Sequence, residues 1–474
     1  MEINKRQTIL LECDSSDINK LKNWLNFINA NRNIKFIILV QPQRLTLFKN
    51  ELMAYEKLTC ISYNDIFNFE NNHESVSASE FYDFNRFYVQ DEITFRLLDR
   101  DGYLPKYGLG IQHGISYYSQ KAMNTLHFLK ENNVSFLCFK TTPHHSVEWL
   151  LAKAADFLNI DVFTTEKHIF PWLFSISKGY LRFRELQFKN EILEPLHEVE
   201  FHINKFIEIN SKDYEFAIPK YEKDRLGKGI FKYYNPFKNL KDTIKRPHSF
   251  YTLTQNFFYH KKITKDSYTF KGKYIIFFLH FQPERTTLPD GYGFTDQLFA
   301  IRTLRLLLPE NINLLVKEHP SMFTNKSEPK ARNRFYYKSI NNIKGVSMVN
   351  ISVDSFKLID NSIAIATITG NVALESYIRK KPAILFGRVN FSIDGVHSFT
   401  DINSLTIFLK NLLEGKIKIN LNNNHLLKFC SKGVVSGLIE GHKNVKNYHS
   451  FGEYEENAQY KLLTKLIQTK IVEI

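Results

Sequence analysis

An α/β fold of two doubly wound halves is the class this sequence predicts, and three observations predict it. At 474 residues the chain is too long for one ordinary core. Apolar strand-like runs alternate with segments of helical period over about the first 175 residues, with short connections. The same alternation restarts near residue 273, after a stretch that has lost it.

In order, "TILLEC" (8–13) and "KFIILVQP" (35–42) read as buried parallel strands, and "DINKLKNWLNFINA" (17–30) between them has helical period. "VSFLCFKTTP" (134–143) is a strand, "SVEWLLAKAADFLN" (146–159) a helix and "IDVFTTE" (160–166) a further strand. From 220 to 273 fourteen Lys and Arg face four Asp and Glu, among prolines and many aromatics, which marks an inter-domain segment. The second half then reads strand "YIIFFLHF" (274–281), helix "TDQLFAIRTLRLLL" (295–308), strand "NINLLVKE" (311–318) and strand "GVSMV" (345–349). Helix "SVDSFKLID" (352–360), strand "SIAIATI" (362–368), helix "NVALESYIRK" (371–380) and strand "PAILFG" (382–387) follow. The expected organisation is an N-terminal domain over 1–215, the basic segment over 216–272, a second domain over 273–450, and a last helix over 451–474 that returns to the first domain.

Composition narrows the function classes. Hydrophobic residues at 43% and charged residues at 24% describe a globular chain. The formal net charge of +14 favours an acidic partner such as a nucleotide or an anionic lipid. No nucleic-acid-binding module accompanies that charge, so nucleic acid is not an expected partner. The four cysteines (Cys13, Cys60, Cys138, Cys430) are scattered without a CxxC pair, which fits a reducing cytosol and argues against a structural zinc site. "MEINKRQTILLECD" holds no apolar signal-peptide core, and no apolar run approaches the ~20 residues that span a bilayer. A cytoplasmic protein is expected, peripheral to the inner membrane at most.

Three motifs fall at strand ends of the second half, where doubly wound sheets bind their ligands. "HFQPERTT" offers Gln282 and Glu284, and "KEHP" offers Lys317, His319 and Pro320. "TITGNVALE" places Thr369, Gly370 and Asn371 at a helix start, with Glu375 one turn in. Backbone N–H groups there suit a phosphate, Gly370 permits close approach, and Glu375 can reach a ribose diol. In the first half, His144 and His145 of "TTPHH" also follow a strand, fit either for carboxylate recognition or for proton transfer.

"FQPERTTLPDGYGFTDQLFAIRTLRLLLPENINLLVKEHP" and "TITGNVALESYIRKKPAILFG" resemble the capsule polysaccharide biosynthesis family, which includes the KpsC/KpsS-type transferases of 3-deoxy-manno-octulosonic acid (Kdo). "LLDRDGYLPKYG" and "FKTTPHHSVEWLLAKAADFLNIDVFTTEKHIFP" are similar to its N-terminal half. The resemblance implies a GT-B fold, two Rossmann-like domains with the active site between them. It also implies a CMP-activated sugar acid as donor and no essential metal or other cofactor. His319 and Pro320 then match a His-Pro motif that holds CMP, Thr369 and Gly370 a hydroxyl motif, and Glu375 the glutamate that follows it.

On that reading the N-terminal domain supplies a carboxylate, as base for the acceptor hydroxyl or as nucleophile in a double displacement. Glu166 is the first choice. Where the family pattern has Glu-Asp-Gly, this strand reads "TTEKH". Asp101 of "RDGY" is the runner-up, and it also belongs to "DRD" (99–101), an Asp-x-Asp spacing in a helical setting. The expected reaction is transfer of Kdo or a related ulosonic or nonulosonic acid to a glycan or lipid-linked glycan, in capsule or O-antigen assembly. A nucleotide-sugar 2-epimerase and a non-catalytic protein that binds anionic glycan or lipid are the alternatives. For the basic segment, docking on an anionic membrane and a solvated surface stand as equal readings.

Overall fold

A computed structural model describes residues 7–13, 18–29, 34–69, 75–101, 111–167, 170, 173–180, 196–212, 214–218, 223, 226, 232–234, 247–265, 272–324, 332–387, 389, 393–421, 434–436 and 458–472. Two compact units emerge. Unit 1 comprises Met1–Val199 with Cys430–Val445 and Gly452–Ile474, and unit 2 comprises Glu200–Phe429 with Lys446–Phe451.

Six strands in the first part of the chain build unit 1. They are β1 (Gln7–Glu12), β2 (Ile34–Val40), β3 (Leu58–Ser62), β4 (Val134–Phe139), β5 (Asp161–Lys167) and β6 (Leu173–Lys178). Unit 2 holds β7 (Tyr274–Phe278), β8 (Asn313–Lys317), β9 (Val346–Val349), β10 (Ala364–Thr367), β11 (Ala383–Leu385) and β12 (Val396–Ser398). β13 (Val434–Ser436) then joins the sheet of unit 1.

The sheet of unit 1 runs β3-β2-β1-β4-β5-β6-β13. Its first five strands are mutually parallel, while β6 is antiparallel to both β5 and β13. The link between β5 and β6 is too short for a parallel crossover, which is why these two form a hairpin. The sheet of unit 2 runs β9-β8-β7-β10-β11-β12, parallel throughout. Counted from its own first strand, that is the doubly wound order 3-2-1-4-5-6. Both units are Rossmann-like, as the βαβ rhythm predicts.

Parallel strands covered on both faces need continuous apolar runs, and the sequence supplies them. Leu10, Leu11, Phe36, Ile38, Leu39, Leu314, Leu315 and Val316 are all buried. The last helix, Ala458–Val472, places Tyr460, Leu463, Leu466 and Ile467 in the core of unit 1. Its Tyr460 stacks on Trp24 with ring centroids 5.2 Å apart, and the Trp24 indole N–H donates to Thr464 Oγ1 at 2.9 Å.

Much of the basic segment, including 235–246 and 266–271, lies outside the described residues. Its helix Pro247–Ile263 belongs to unit 2, because Leu253 and Tyr234 are buried in that unit's core and Phe257 packs beside them. The aromatic residues of this stretch therefore serve packing as well as any surface. Along the chain the first unit gives way to the second at Val199/Glu200. Among the described residues no helix is long and apolar enough to cross a membrane.

Candidate functional site

In unit 2 the strand order reverses between β7 and β10, so the chain leaves these neighbours in opposite directions and opens a crevice at their carboxyl ends. His280, just past β7, organises that crevice. Its Nε2 accepts the backbone N–H of Thr369 at 3.1 Å and lies 3.2 Å from Thr367 Oγ1. An acceptor at Nε2 puts the proton of the neutral ring on Nδ1, which faces Thr286 Oγ1 at 3.2 Å. Thr286 in turn donates to Glu284 at 2.7 Å, and Thr369 Oγ1 donates to the Thr286 carbonyl at 2.7 Å. The amide of Gln282 donates to Thr287 Oγ1 at 2.6 Å, and Thr287 to the Glu284 carbonyl at 3.0 Å.

Gln282, Glu284, Thr369 and Gly370 are thus brought together around a histidine that motif reading passes over. A Cβ on Gly370 would sit 3.0 Å from Thr367 Oγ1 and 3.5 Å from His280 Nε2, so a side chain here would have to push the Thr367 hydroxyl aside by a few tenths of an ångström. Burial alone would raise the Glu284 carboxyl. The bonds from His280 and Thr286 bring it instead down to about 2.

The cluster "KEHP" divides along the strand's alternation. Glu318 is buried in a network of its own. It takes Arg332 Nη1 at 2.5 Å, the Tyr337 hydroxyl at 2.9 Å and the His319 N–H at 2.7 Å. Arg332 Nη2 also donates to the His280 carbonyl at 2.9 Å, which ties this network to the crevice. Half-buried His319 caps the turn Pro320–Phe323, its Nδ1 accepting the Ser321 N–H at 3.2 Å. The proton of its neutral ring is then on Nε2, where it is a donor. Phe281 lies edge-on to the same ring at 5.9 Å.

Lys317 turns elsewhere. It is 1% exposed, donates to Ser355 Oγ at 2.7 Å, and lies 5.4 Å from the centre of the Tyr214 ring. Burial holds its ammonium down to about 7 against the charges of Asp354 and Glu375. Burial likewise pushes half-buried Glu375 up to about 7 against Lys317 and Arg379. Lys317 and Glu375 thus act on one another electrostatically, and Lys317 is engaged with Ser355 rather than held ready for phosphate. Exposed Asn371 precedes the helix Val372–Ile378, whose seven residues make only two turns.

Unit 1 has its own reversal between β1 and β4, and a second polar cluster stands there. Glu12 ends β1 and is 2% exposed; Glu148, in the first turn of the helix Ser146–Phe157, is 3% exposed. The Tyr63 hydroxyl lies 3.1 Å from an oxygen of each. Lys140 reaches Glu12 through its N–H at 3.1 Å and its Nζ at 3.4 Å. Burial first, then the charge of Glu148, pushes Glu12 up to about 7 against Lys140. Glu148 Oε2 accepts the backbone N–H groups of His144 and His145 at 3.0 and 3.3 Å.

His144 and His145 lie with ring centres 4.6 Å apart. Asp101, at the end of the helix Glu92–Arg100, accepts the Ser146 N–H and hydroxyl at 2.6 Å each and faces His145 Nδ1 at 3.4 Å. Asp101 and His144, read separately from the sequence, therefore share one cluster. Glu166 does not join it. That side chain is 0% exposed within β5, paired in register with Ser175 of β6, so the hairpin closes over what reads as an open strand end. Glu12, Tyr63 and Glu148 carry no motif signal; only their place beside the first strand end marks them. Among the described residues no three His, Cys, Asp or Glu side chains gather as a metal-binding group.

No curated protein matches the chain in sequence. Among solved structures it is similar to a UDP-GlcNAc 2-epimerase from Methanocaldococcus jannaschii (14% identity over 98% of this chain and 99% of that one, TM-score 0.26). It is also similar to Thermosulfurimonas dismutans KpsC, a beta Kdo 2,4 transferase (11% identity, 64% of this chain and 82% of that one, TM-score 0.34). A glycosyltransferase from Rickettsia africae is a third (11% identity, 99% of each chain, TM-score 0.24). The model of the family described as capsule polysaccharide biosynthesis protein matches residues 211–437, which hold the whole His280 crevice and its motifs. Over these residues, just under half of the chain, it is similar to the capsule polysaccharide biosynthesis family.

Proposed function

We propose that this protein is a glycosyltransferase of capsule assembly that takes Kdo, or a related ulosonic or nonulosonic acid, from a CMP-activated donor and passes it to a glycan acceptor. The observation that supports this most is the crevice of unit 2. There Thr369 and Gly370 are tied to His280 and to the loop Gln282–Thr287 at the strand-order switch, with His319 beside Phe281 of the same strand end. Gly370, without a side chain, would let a phosphate approach its backbone, and the imidazole of His319 would offer it an N–H donor.

As the glycosidic bond breaks, negative charge gathers on the departing phosphate. A donor already aimed there stabilises that charge without reorganisation. An imidazole in this position takes over work that a divalent cation does in other transferases, so transfer is proposed to proceed in EDTA. Lys317, enclosed by Ser355 and Tyr214, is not proposed to grip the phosphate.

Thermal-shift titration with CMP, UDP and GDP tests the nucleotide, because a ligand of the native state raises the melting temperature. CMP alone is expected to do so. A shift with UDP and none with CMP would overturn the donor and favour the epimerase alternative.

A further inference from the structure

Two helices of unit 2, Pro247–Ile263 and Arg334–Asn341, hold no Asp or Glu in their sequences. They lie side by side. The Asn256 amide donates to the Arg332 carbonyl at 2.7 Å, and the His260 ring centre is 5.4 Å from that of Tyr337. Leu253 of the first helix and Tyr337 and Ile340 of the second enter one core, so both helices turn their other faces outward.

On the first helix that outer face is a single stripe. Tyr251, Phe258 and Lys262 recur at helical spacing opposite the buried Leu253, Asn256 and His260, and exposed Lys261 flanks them. On the second, Arg334, Phe335 and Lys338 are exposed. The rings of this surface stand well out into water: Tyr251 is 61% exposed, Phe258 58% and Phe335 61%. Among the described residues none of the four cations has a carboxylate partner, and Arg334 lies over the Phe335 ring at 5.1 Å instead.

We infer that this face docks on an anionic bilayer, its lysines and Arg334 against the phosphate headgroups and its three rings at the level of the interface. An ordinary solvated helix mixes charges of both signs. On the helix Leu196–Ser211, for example, Lys205 and Lys212 each lie 3.0 Å from Glu208. A cluster of one sign repels itself until anions approach it, and the chain's net charge of +14 adds long-range attraction to a negative surface. A soluble polyanion would answer the cations but leave the aromatic surface in water, which is costly. A bilayer takes both, because Lys and Arg are drawn to anionic headgroups while aromatic rings settle at the boundary with the acyl chains. The helices keep their inner faces in the core, so the contact is made by side chains.

The inference goes beyond the glycosyltransferase reading, and its test needs no donor. Full-length protein is floated with vesicles of phosphatidylcholine alone or mixed with phosphatidylglycerol. Wild type should float with the mixed vesicles at low salt, far less at high salt, and not with phosphatidylcholine alone. Lys261→Glu/Lys262→Glu/Lys338→Glu should weaken that partition at least ~10-fold, each cation near such a surface being worth roughly five-fold. Phe258→Ser/Phe335→Ser should weaken it several-fold as well. Lys410→Glu/Lys416→Glu/Lys418→Glu makes the same change of net charge at other exposed positions of unit 2, and should keep most of the binding. All these side chains are exposed, and melting temperatures close to wild type identify the folded variants. Phe258→Trp gives a separate readout, since brominated phospholipid in the mixed vesicles should quench the added fluorescence, with wild type as the blank. No flotation of wild type at low salt would overturn the docking, as would a Phe258→Trp that stays unquenched. Equal loss in the two charge variants would show that only net charge counts. A Phe258→Ser/Phe335→Ser protein that floats like wild type would make the face a site for soluble polyanions. Either result rejects the bilayer as its occupant.

Discussion

The backbone N–H of Thr369 donates to Nε2 of His280 at 3.1 Å, a bond that spans 89 residues of sequence and locks together the ends of two adjacent strands. Neither group faces water: His280 is 7% exposed and Thr369 6%. His280→Phe keeps a ring but leaves the Thr369 N–H without its acceptor. The expected cost is about 1–3 kcal/mol by urea denaturation, the range for a buried donor left unmade. CMP affinity should fall with it, because Gly370 loses its fixed position. A His280→Phe protein with unchanged stability and unchanged CMP affinity would mean that the crevice does not depend on this bond.

His319 permits a cleaner separation of structure from binding. Its Nδ1 accepts the Ser321 N–H, a service that an asparagine carbonyl can also perform. His319→Asn should therefore melt within a degree or two of wild type, while losing the imidazole donor to phosphate. CMP binding measured by calorimetry should weaken by roughly 1–3 kcal/mol. Equal affinity in the two proteins would remove His319 from the nucleotide site.

Arg332 and Glu318 make the buried ion pair that underlies "KEHP", 2% and 0% exposed and 2.5 Å apart. Arg332→Met leaves the Glu318 carboxylate in the core with only the Tyr337 hydroxyl and a backbone N–H. A loss of about 3–5 kcal/mol is expected, with much of it recovered in Arg332→Met/Glu318→Leu, which removes both charges. If the double variant is no more stable than the single one, the loss comes from the Arg332 bond to the His280 carbonyl instead.

How legible all this is in the sequence depends on the range of the interaction. Strands such as β1, β2 and β8 show themselves because a strand buried on both faces must be apolar throughout, and Leu10, Ile38 and Leu315 satisfy that locally. The crevice is visible in outline, since Gln282, His319 and Gly370 stand at strand ends that the same apolar runs define. His280 is harder to see because its partners are Thr367 and Thr369, nearly ninety residues away, and no local pattern records such a bond. Lys317 misleads for a related reason. A lysine at a strand end suggests an open ammonium, whereas Ser355 and Tyr214 enclose it from other elements. Glu166 misleads most, because β6 is a short strand with no crossover before it to announce a pairing. Glu12, Tyr63 and Glu148 come from three separate elements and meet only once the sheet order places β1 beside β4.

The Glu12 carboxyl gives a pH signature of stability whose sign can be worked out. Burial and the charge of Glu148 raise it from the ordinary 4.5 to about 7 in the folded protein. Between those values the native state holds a proton that the unfolded chain has released. Stability from this group is therefore complete below about pH 4.5, declines as the pH climbs through the window, and is gone above about 7. Glu12→Gln cannot titrate, yet its amide can still donate to the Tyr63 oxygen as the protonated carboxyl does. Wild type should therefore lose stability relative to Glu12→Gln from pH 4.5 to 7, and run parallel to it above. Glu375 is raised into the same window but is present in both proteins, so it cancels in the difference. Chemical denaturation of the two proteins at half-unit pH steps provides the comparison. Curves that stay parallel across the whole window would show that Glu12 is ionised in the native state, and that Tyr63 shares its single proton between two charged carboxylates.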